Sequence, residues 1–305
     1  MLQLRNMPAP LRRRSGPQGQ VAGLQAPPPP GPVALPIAPA DFKARRRQNA
    51  ASLQLSLASS AAERAEAQRL RYFVFAQEMG ARIGCEKRHI DEDEFDEACD
   101  HLLVRERASG QVVGTYRLLP PGRRGRAGTL YADTEFDLSP LARLLPTLVE
   151  VGRSCVHPNY RTGPSLMLLW AGLTRYMLHG RHEHLLGCAS ASLADGGHQA
   201  ATLRDHLQQR LVEPALRVRP HVPFAHESLT RAAVLTMPPL IKGYLRAGAR
   251  ICGEPAWDAR FGTADFLVWL SMRNMEPRYA RHFKLSQAGA ALDRQLVAGA
   301  FRHKA

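Results

Sequence analysis

The chain has 305 residues, 45% of them apolar, and a formal net charge of +14 at pH 7 with a pI near 10.2. That length and apolar content support a real core in one large or two small domains, and the basic excess favours anionic partners: nucleic acid, a membrane surface or an acidic protein. No apolar run approaches the ~20 residues that a spanning helix needs, and prolines interrupt the segment after Arg12–Arg14 where a secretory leader would carry its apolar stretch. A soluble or peripheral cytoplasmic protein is expected.

Residues 1–48 hold eight Lys/Arg against a single acid, Asp41, so half of the basic excess sits there. Pro and Gly are dense in this stretch and no hydrophobic period runs through it, which reads as a disordered, partly polyproline-II tail. Its arginines are either solvated charge or an attachment to the anionic inner face of the cytoplasmic membrane, at roughly 1 kcal/mol per basic residue. Five cysteines (Cys85, Cys99, Cys155, Cys188, Cys252) show no CxxC spacing, which suits reduced thiols.

From residue 49 the pattern becomes that of a folded domain ending near 285. Alternation over 52–57 predicts a strand. Ser59 or Ser60 then caps a helix over 61–79 that stops at Gly80. Next comes a local inversion of charge, with seven carboxylates among the ten residues 91–100. Two alternating runs, 101–107 and 112–118, flank a short turn and predict a β-hairpin. A basic loop follows at 120–126, then an insertion over 130–145 whose Phe136 and Leu138 suit a pocket cover.

The run from Leu148 to Val156 alternates like a strand but carries Glu150 and Arg153. Turn residues lead from it into an apolar helix over 165–177. A helix start with unpaired N–H groups is an anion site, and Arg161, Thr162 and Gly163 lie beside it. A strand over 184–190, helices over 198–211 and 240–247, and late strands over 249–252 and 265–271 follow. A short helical stretch over 276–283 and a terminal extension over 286–305, helical or frayed, complete the chain. This order predicts an α/β fold, one mixed twisted sheet flanked by helices.

Several motifs, in this order, resemble those of the GNAT acyltransferase superfamily in its acyl-homoserine-lactone-synthase-like branch, and within it the L-ornithine N-alpha-acyltransferases. The residues that carry the resemblance are Arg71-x-x-x-Phe75, the acidic set Asp91, Asp93 and Asp96, Gly114-Thr-Tyr-Arg117-Leu-Leu-Pro, Glu150-Val-Gly-Arg153-Ser, the segment Pro239 to Ala249, and Phe261-x-x-x-Asp265-Phe. The resemblance implies a GNAT-like domain over 49–285. It also implies transfer of a 3-hydroxyacyl group from acyl carrier protein to the α-amine of L-ornithine, the first step of ornithine lipid synthesis. The usual GNAT pyrophosphate loop survives only as Arg161-Thr-Gly163-Pro164, which suits the single phosphate of a phosphopantetheine arm better than a nucleotide. No bound cofactor is expected.

Direct attack of an amine on a thioester needs a base, a held carbonyl and stabilisation of the oxyanion. Glu150 fits the base; the alternative is a structural ion pair between Glu150 and Arg153. Arg153 also suits a bidentate grip on an amino-acid carboxylate. Asp91, Asp93 and Asp96, with Arg71 and Arg117, form either a buried ion network or a site for ornithine's ammonium groups. Phe75 suits core or acyl-pocket lining. His179, His182 and His184 look metal-like, but Arg181 and Glu183 interleave and no H-E-x-x-H is present, so solvated helix-end residues are expected; none of the twelve histidines has an Asp five positions later, and no G-x-S-x-G elbow occurs. Acyl-homoserine-lactone synthesis and non-enzymatic nucleic-acid binding are the competing functions. The second is disfavoured because half of the charge is on the tail and no recognition motif is present.

Overall fold

The computed structural model describes residues 52–84, 87–123, 128–161, 163–276 and 292–296. The expected tail over 1–48, the basic loop beyond Arg123, Thr162, the helical stretch expected over 276–283 apart from its first residue, and the terminal extension apart from 292–296 lie outside them.

Among the described residues, ten strands and four α-helices, with a further helical turn over 292–296, make a layered α/β domain. In chain order they are β1 (Leu53–Leu57), α1 (Ala61–Arg71), β2 (Asp100–Glu106), β3 (Val112–Leu119), β4 (Phe136–Asp137), β5 (Leu148–Val156) and α2 (Gly163–His179). Then follow β6 (His184–Ser192), α3 (His198–Leu207), β7 (Arg219–Pro220), α4 (Pro239–Ala247), β8 (Arg250–Ile251), β9 (Ala256–Asp258) and β10 (Thr263–Ser271). The main sheet runs β1-β2-β3-β5-β6-β10-β8, with β9 also on β10, while β4 and β7 form a small separate ribbon. Every pairing in the main sheet is antiparallel except β5 with β6. That parallel pair needs a crossover, which α2 supplies.

Local chemistry accounts for the elements. Ser60 caps α1 by accepting the Glu63 N–H at 3.2 Å. The helix expected over 61–79 changes pitch inside that range. After Arg71 the chain runs as a π-helix over Tyr72–Glu78, and Gly80, at φ +74°, ends it. Wide-turn segments of this kind recur at functional sites. All eight residues of β3 are buried, as a central strand covered on both faces requires. The apolar face of α2 lies close on the sheet because Gly172 has no side chain: a Cβ there would come within 3.1 Å of Leu55 and Leu102. The outer edge at β1 is partly covered, since the Gln295 side chain exchanges hydrogen bonds with the Leu57 backbone at 2.8 and 3.1 Å. Among the described residues no helix is long and apolar enough to cross a membrane.

Candidate active site

The site begins where the sheet comes apart. β5 and β6 pair only at Leu148↔His184, Val149↔Leu185 and Glu150↔Leu186, although both strands continue well beyond. Past Glu150 the edge of β5 that faces β6 is therefore unpaired. Gly187 sits at this fork, and a Cβ on it would collide with the Val151 carbonyl oxygen. On its other side β5 carries one extra residue against β3: Thr115 and Arg117 face Cys155 and Gly152. The bulge places Arg153 at φ +51°, a left-handed conformation that a side-chain-bearing residue adopts at a cost. A cavity of about 310 Å³ opens between the separated strands, with Glu150, Gly152, Arg153, Cys188, Ser190 and Asp265 in its wall.

Glu150 makes no ion pair with Arg153. Its carboxylate accepts the backbone N–H groups of Tyr131, at 2.8 Å, and Ala132, at 2.7 Å. Those donors come from the segment expected to cover a pocket. Burial pushes the Glu150 carboxyl up to about 7, against the downward pull of the two N–H bonds and the Arg117 charge. A carboxyl poised there can take a proton from an ammonium at neutral pH and return it.

The three aspartates and three arginines close into a ring of alternating charge. Arg71 Nε donates to Asp91 Oδ2 at 2.9 Å, and the same oxygen accepts from Arg153 Nε at 3.2 Å. Arg153 Nη2 donates to Asp93 Oδ2 at 3.2 Å, and Arg117 Nη1 to Asp93 Oδ1 at 2.6 Å. Arg117 Nη1 also reaches Asp96 Oδ1 at 3.2 Å, and Asp96 Oδ2 accepts from Arg71 Nη2 at 2.7 Å, completing the circuit. Arg71 is fully buried, and Asp91 and Asp96 nearly so. Burial alone would raise the carboxyls. Instead Arg71 and Arg117 hold Asp96 well below the usual range, and Arg117 and Arg153 lower Asp93. Arg117 and Arg153 also form part of the cavity wall; Arg71, Asp91, Asp93 and Asp96 stand behind it. The Arg153 guanidinium lies over the rings of Tyr131, at 4.9 Å, and Phe261, at 5.0 Å. Phe75 lines the cavity edge-on to Phe261.

At the rim, Arg161 is held by Glu78 of the π-helix through two bonds of 2.6 Å, and its Nε donates to the Val156 carbonyl at 3.1 Å. Gly163 is the first residue of α2, and Thr162 lies outside the described residues. Cys155 is buried in the wall and burial pushes its thiol up to about 12, so it is no ready nucleophile.

The fold also assembles a group that sequence spacing did not suggest. Glu135, Cys188 and Asp265 bring their polar atoms within 4.8 Å of one another, the one such cluster with metal-ligating side chains among the described residues. Phe261 and Asp265 stood in a recognisable motif without a role. Tyr131 and Glu135 carried no signal, because nothing local marks a residue whose partners come from other strands.

The mixed sheet flanked by helices is a GNAT-like fold, and the family model of the acetyltransferase (GNAT) domain matches residues 70–171. L-ornithine N(alpha)-acyltransferase of Brucella abortus (strain 2308) is 36% identical over 251 residues, covering 76% of this chain and 89% of that protein. The enzyme of the same name from Rhodobacter capsulatus is 36% identical over 247 residues, covering 76% and 95%. The chain belongs to the L-ornithine N(alpha)-acyltransferase family. Among solved structures, a CoA-dependent acyl-homoserine lactone synthase, MesI, is 14% identical with a TM-score of 0.47 over 78% of this chain and 98% of that one.

Proposed function

We propose that this acyltransferase moves a 3-hydroxyacyl group from the phosphopantetheine thioester of acyl carrier protein to the α-amine of L-ornithine, forming lyso-ornithine lipid. The observation that carries the proposal is Glu150: a buried carboxyl near neutrality, held by two backbone N–H groups in the wall of the cavity at the strand fork. The names of the relatives support ornithine as acceptor.

The α-ammonium gives a proton to Glu150, directly or through a water. The freed amine attacks the thioester carbonyl, so that a C–N bond forms as the C–S bond breaks. Protonated Glu150 gives its proton to the departing thiolate of the carrier arm and then takes up the proton that the new amide nitrogen sheds, which passes on to solvent. The unpaired edge of β5 offers backbone N–H donors to the developing oxyanion. Arg153 receives the acceptor carboxylate on the cavity side of its guanidinium. The charge ring holds Arg153 and Arg117 in place, and Phe75 lines the acyl path. Arg161, with Thr162 and Gly163, takes the phosphate of the arm once Glu78 yields. The tail keeps the enzyme at the anionic inner face of the cytoplasmic membrane, where the product belongs.

The test is a mass-spectrometric assay of the purified full-length chain with ornithine and a series of 3-hydroxyacyl carrier proteins. An amide on the α-nitrogen is expected. No product with any of these donors would sink the proposal.

A further inference from the structure

Each acid of the charge ring has its arginines, and Glu150 has its two N–H groups. Two acids of the site have no such compensation. Asp265, on β10, is paired with Ser190 of β6 and contributes with it to the cavity wall; it is 4% exposed, and its carboxylate has the hydroxyls of Thr263, at 2.7 Å, and Ser190 as donors but no paired arginine. Glu135 stands just behind; both its carboxylate oxygens are buried with no cation paired to them, the Tyr131 hydroxyl and the Cys188 thiol being their polar neighbours. The Cys188 thiol completes the group and sits in the field of Glu135, Asp265 and Glu150 together. Arg153 is the cation that Asp265 feels, but its Nε and Nη2 donate to Asp91 and Asp93 and it makes no ion pair with Asp265. Asp258, the next acid along, caps the N–H groups of Arg260 and Phe261.

Two neighbouring buried carboxyls without a cation are costly in an empty site. Burial, and then the charge of Asp265, pushes Glu135 up to about 8, while burial pushes Asp265 up to about 6. A ligand that brings a positive charge between them removes that cost. The three hydrogens of an ammonium match acceptors that come from different elements, here a strand and a loop, whereas a guanidinium prefers one flat carboxylate. Glu135 also belongs to the loop that supplies the N–H donors to Glu150, so one segment serves both ends of the cavity.

We propose that Asp265 and Glu135 form the subsite for the distal ammonium of the amino-acid acceptor and select a basic amino acid over a neutral one of the same length. This deepens the proposed function and rests on it.

The experiment compares kcat/KM for ornithine and for norvaline, which lacks the distal amine, in the full-length enzyme and in Glu135→Gln and Asp265→Asn. A site built around a polar group rejects the analogue that lacks it, so the wild type favours ornithine, and each variant is expected to lower that preference by about tenfold or more. The loss appears as a raised KM for ornithine, with norvaline little changed. A preference unchanged in both variants, or a wild type that uses both acceptors equally, would overturn the inference. If the variants acylate neither acceptor, calorimetric titration with ornithine decides: weakened binding supports the subsite, and wild-type binding overturns it. Loss of wild-type activity on chelation, restored by a divalent ion, would assign the three ligands to a metal and overturn it too. A wild type that acylates neither acceptor refutes the proposed function instead.

Discussion

Arg71 and Arg153 share one oxygen atom: Asp91 Oδ2 accepts the Nε–H of both, at 2.9 and 3.2 Å. One arginine ends α1 and the other occupies the β5 bulge, so this atom ties the first helix to the strand at the fork. Asp91→Asn removes one negative charge from a buried ring and leaves two guanidiniums facing each other across a neutral amide. Unfolding free energy is expected to fall by about 3–5 kcal/mol, the range for breaking a buried pair from one side. Urea titration measures it, and an unchanged midpoint would dissolve the ring as a structural unit.

Glu150→Gln keeps one acceptor oxygen for the two backbone N–H groups, turns an NH2 donor toward the other, and cannot accept a proton. The expected loss in kcat is about 10²–10⁴-fold. Because the carboxyl must be ionised to act, the wild-type rate rises with pH through about 7, and the variant loses that limb. A pH profile with the same limb in both enzymes would remove Glu150 as the base.

Two glycines of the fork should behave oppositely. Gly187→Ala drives a methyl into the Val151 carbonyl, a rigid neighbour, and is expected to cost about 1–3 kcal/mol with severe loss of activity. Gly152→Ala meets nothing within 4 Å, but its methyl enters the cavity. Its melting temperature should stay near wild type while the KM for a substrate rises. Equal melting temperatures for the two variants would contradict the close approach at Gly187.

The raised carboxyls of the site lower stability as pH rises from about 5 to 9, while His101, His182 and His184, whose values burial lowers, act with the opposite sign below the ordinary histidine value of 6.5. Glu135, Glu150 and Asp265 have folded-state values raised above those of an unfolded chain, so the folded form holds protons that the unfolded form has released in this window. Asp93 and Asp96, lowered by their arginines, act with the opposite sign, and their contribution is lost only in more acidic solution. Urea midpoints at pH 5, 7 and 9 check the trend, and Glu135→Gln should flatten it above pH 7.

Arg161→Met removes an exposed pair with Glu78, worth at most about 1 kcal/mol. If the proposed donor is right, its effect should fall on the KM for the acyl carrier protein and leave the fold intact. An unchanged KM would take Arg161 out of the donor site.

Much of this molecule is written in short-range pattern. The alternation from Leu148 to Val156, the hairpin of β2 and β3, the apolar length of α2 and the stop at Gly80 follow from side-chain period and turn chemistry acting within a few residues. Glu150 and Arg153 stood out for the same reason, as charges in an apolar strand. What those charges touch was decided by tertiary structure. A one-residue bulge turns Arg153 toward acids some sixty positions earlier in the chain, and the Glu150 carboxyl finds its N–H donors in a loop 18 residues before it. The association of Cys188 with Asp265 depends on the register of β6 against β10, Glu135 joins them from the turn before β4, and neither leaves a local trace. Burial and periodicity are local properties of a sequence; the pairing of buried charges depends on which strands meet, and in what register.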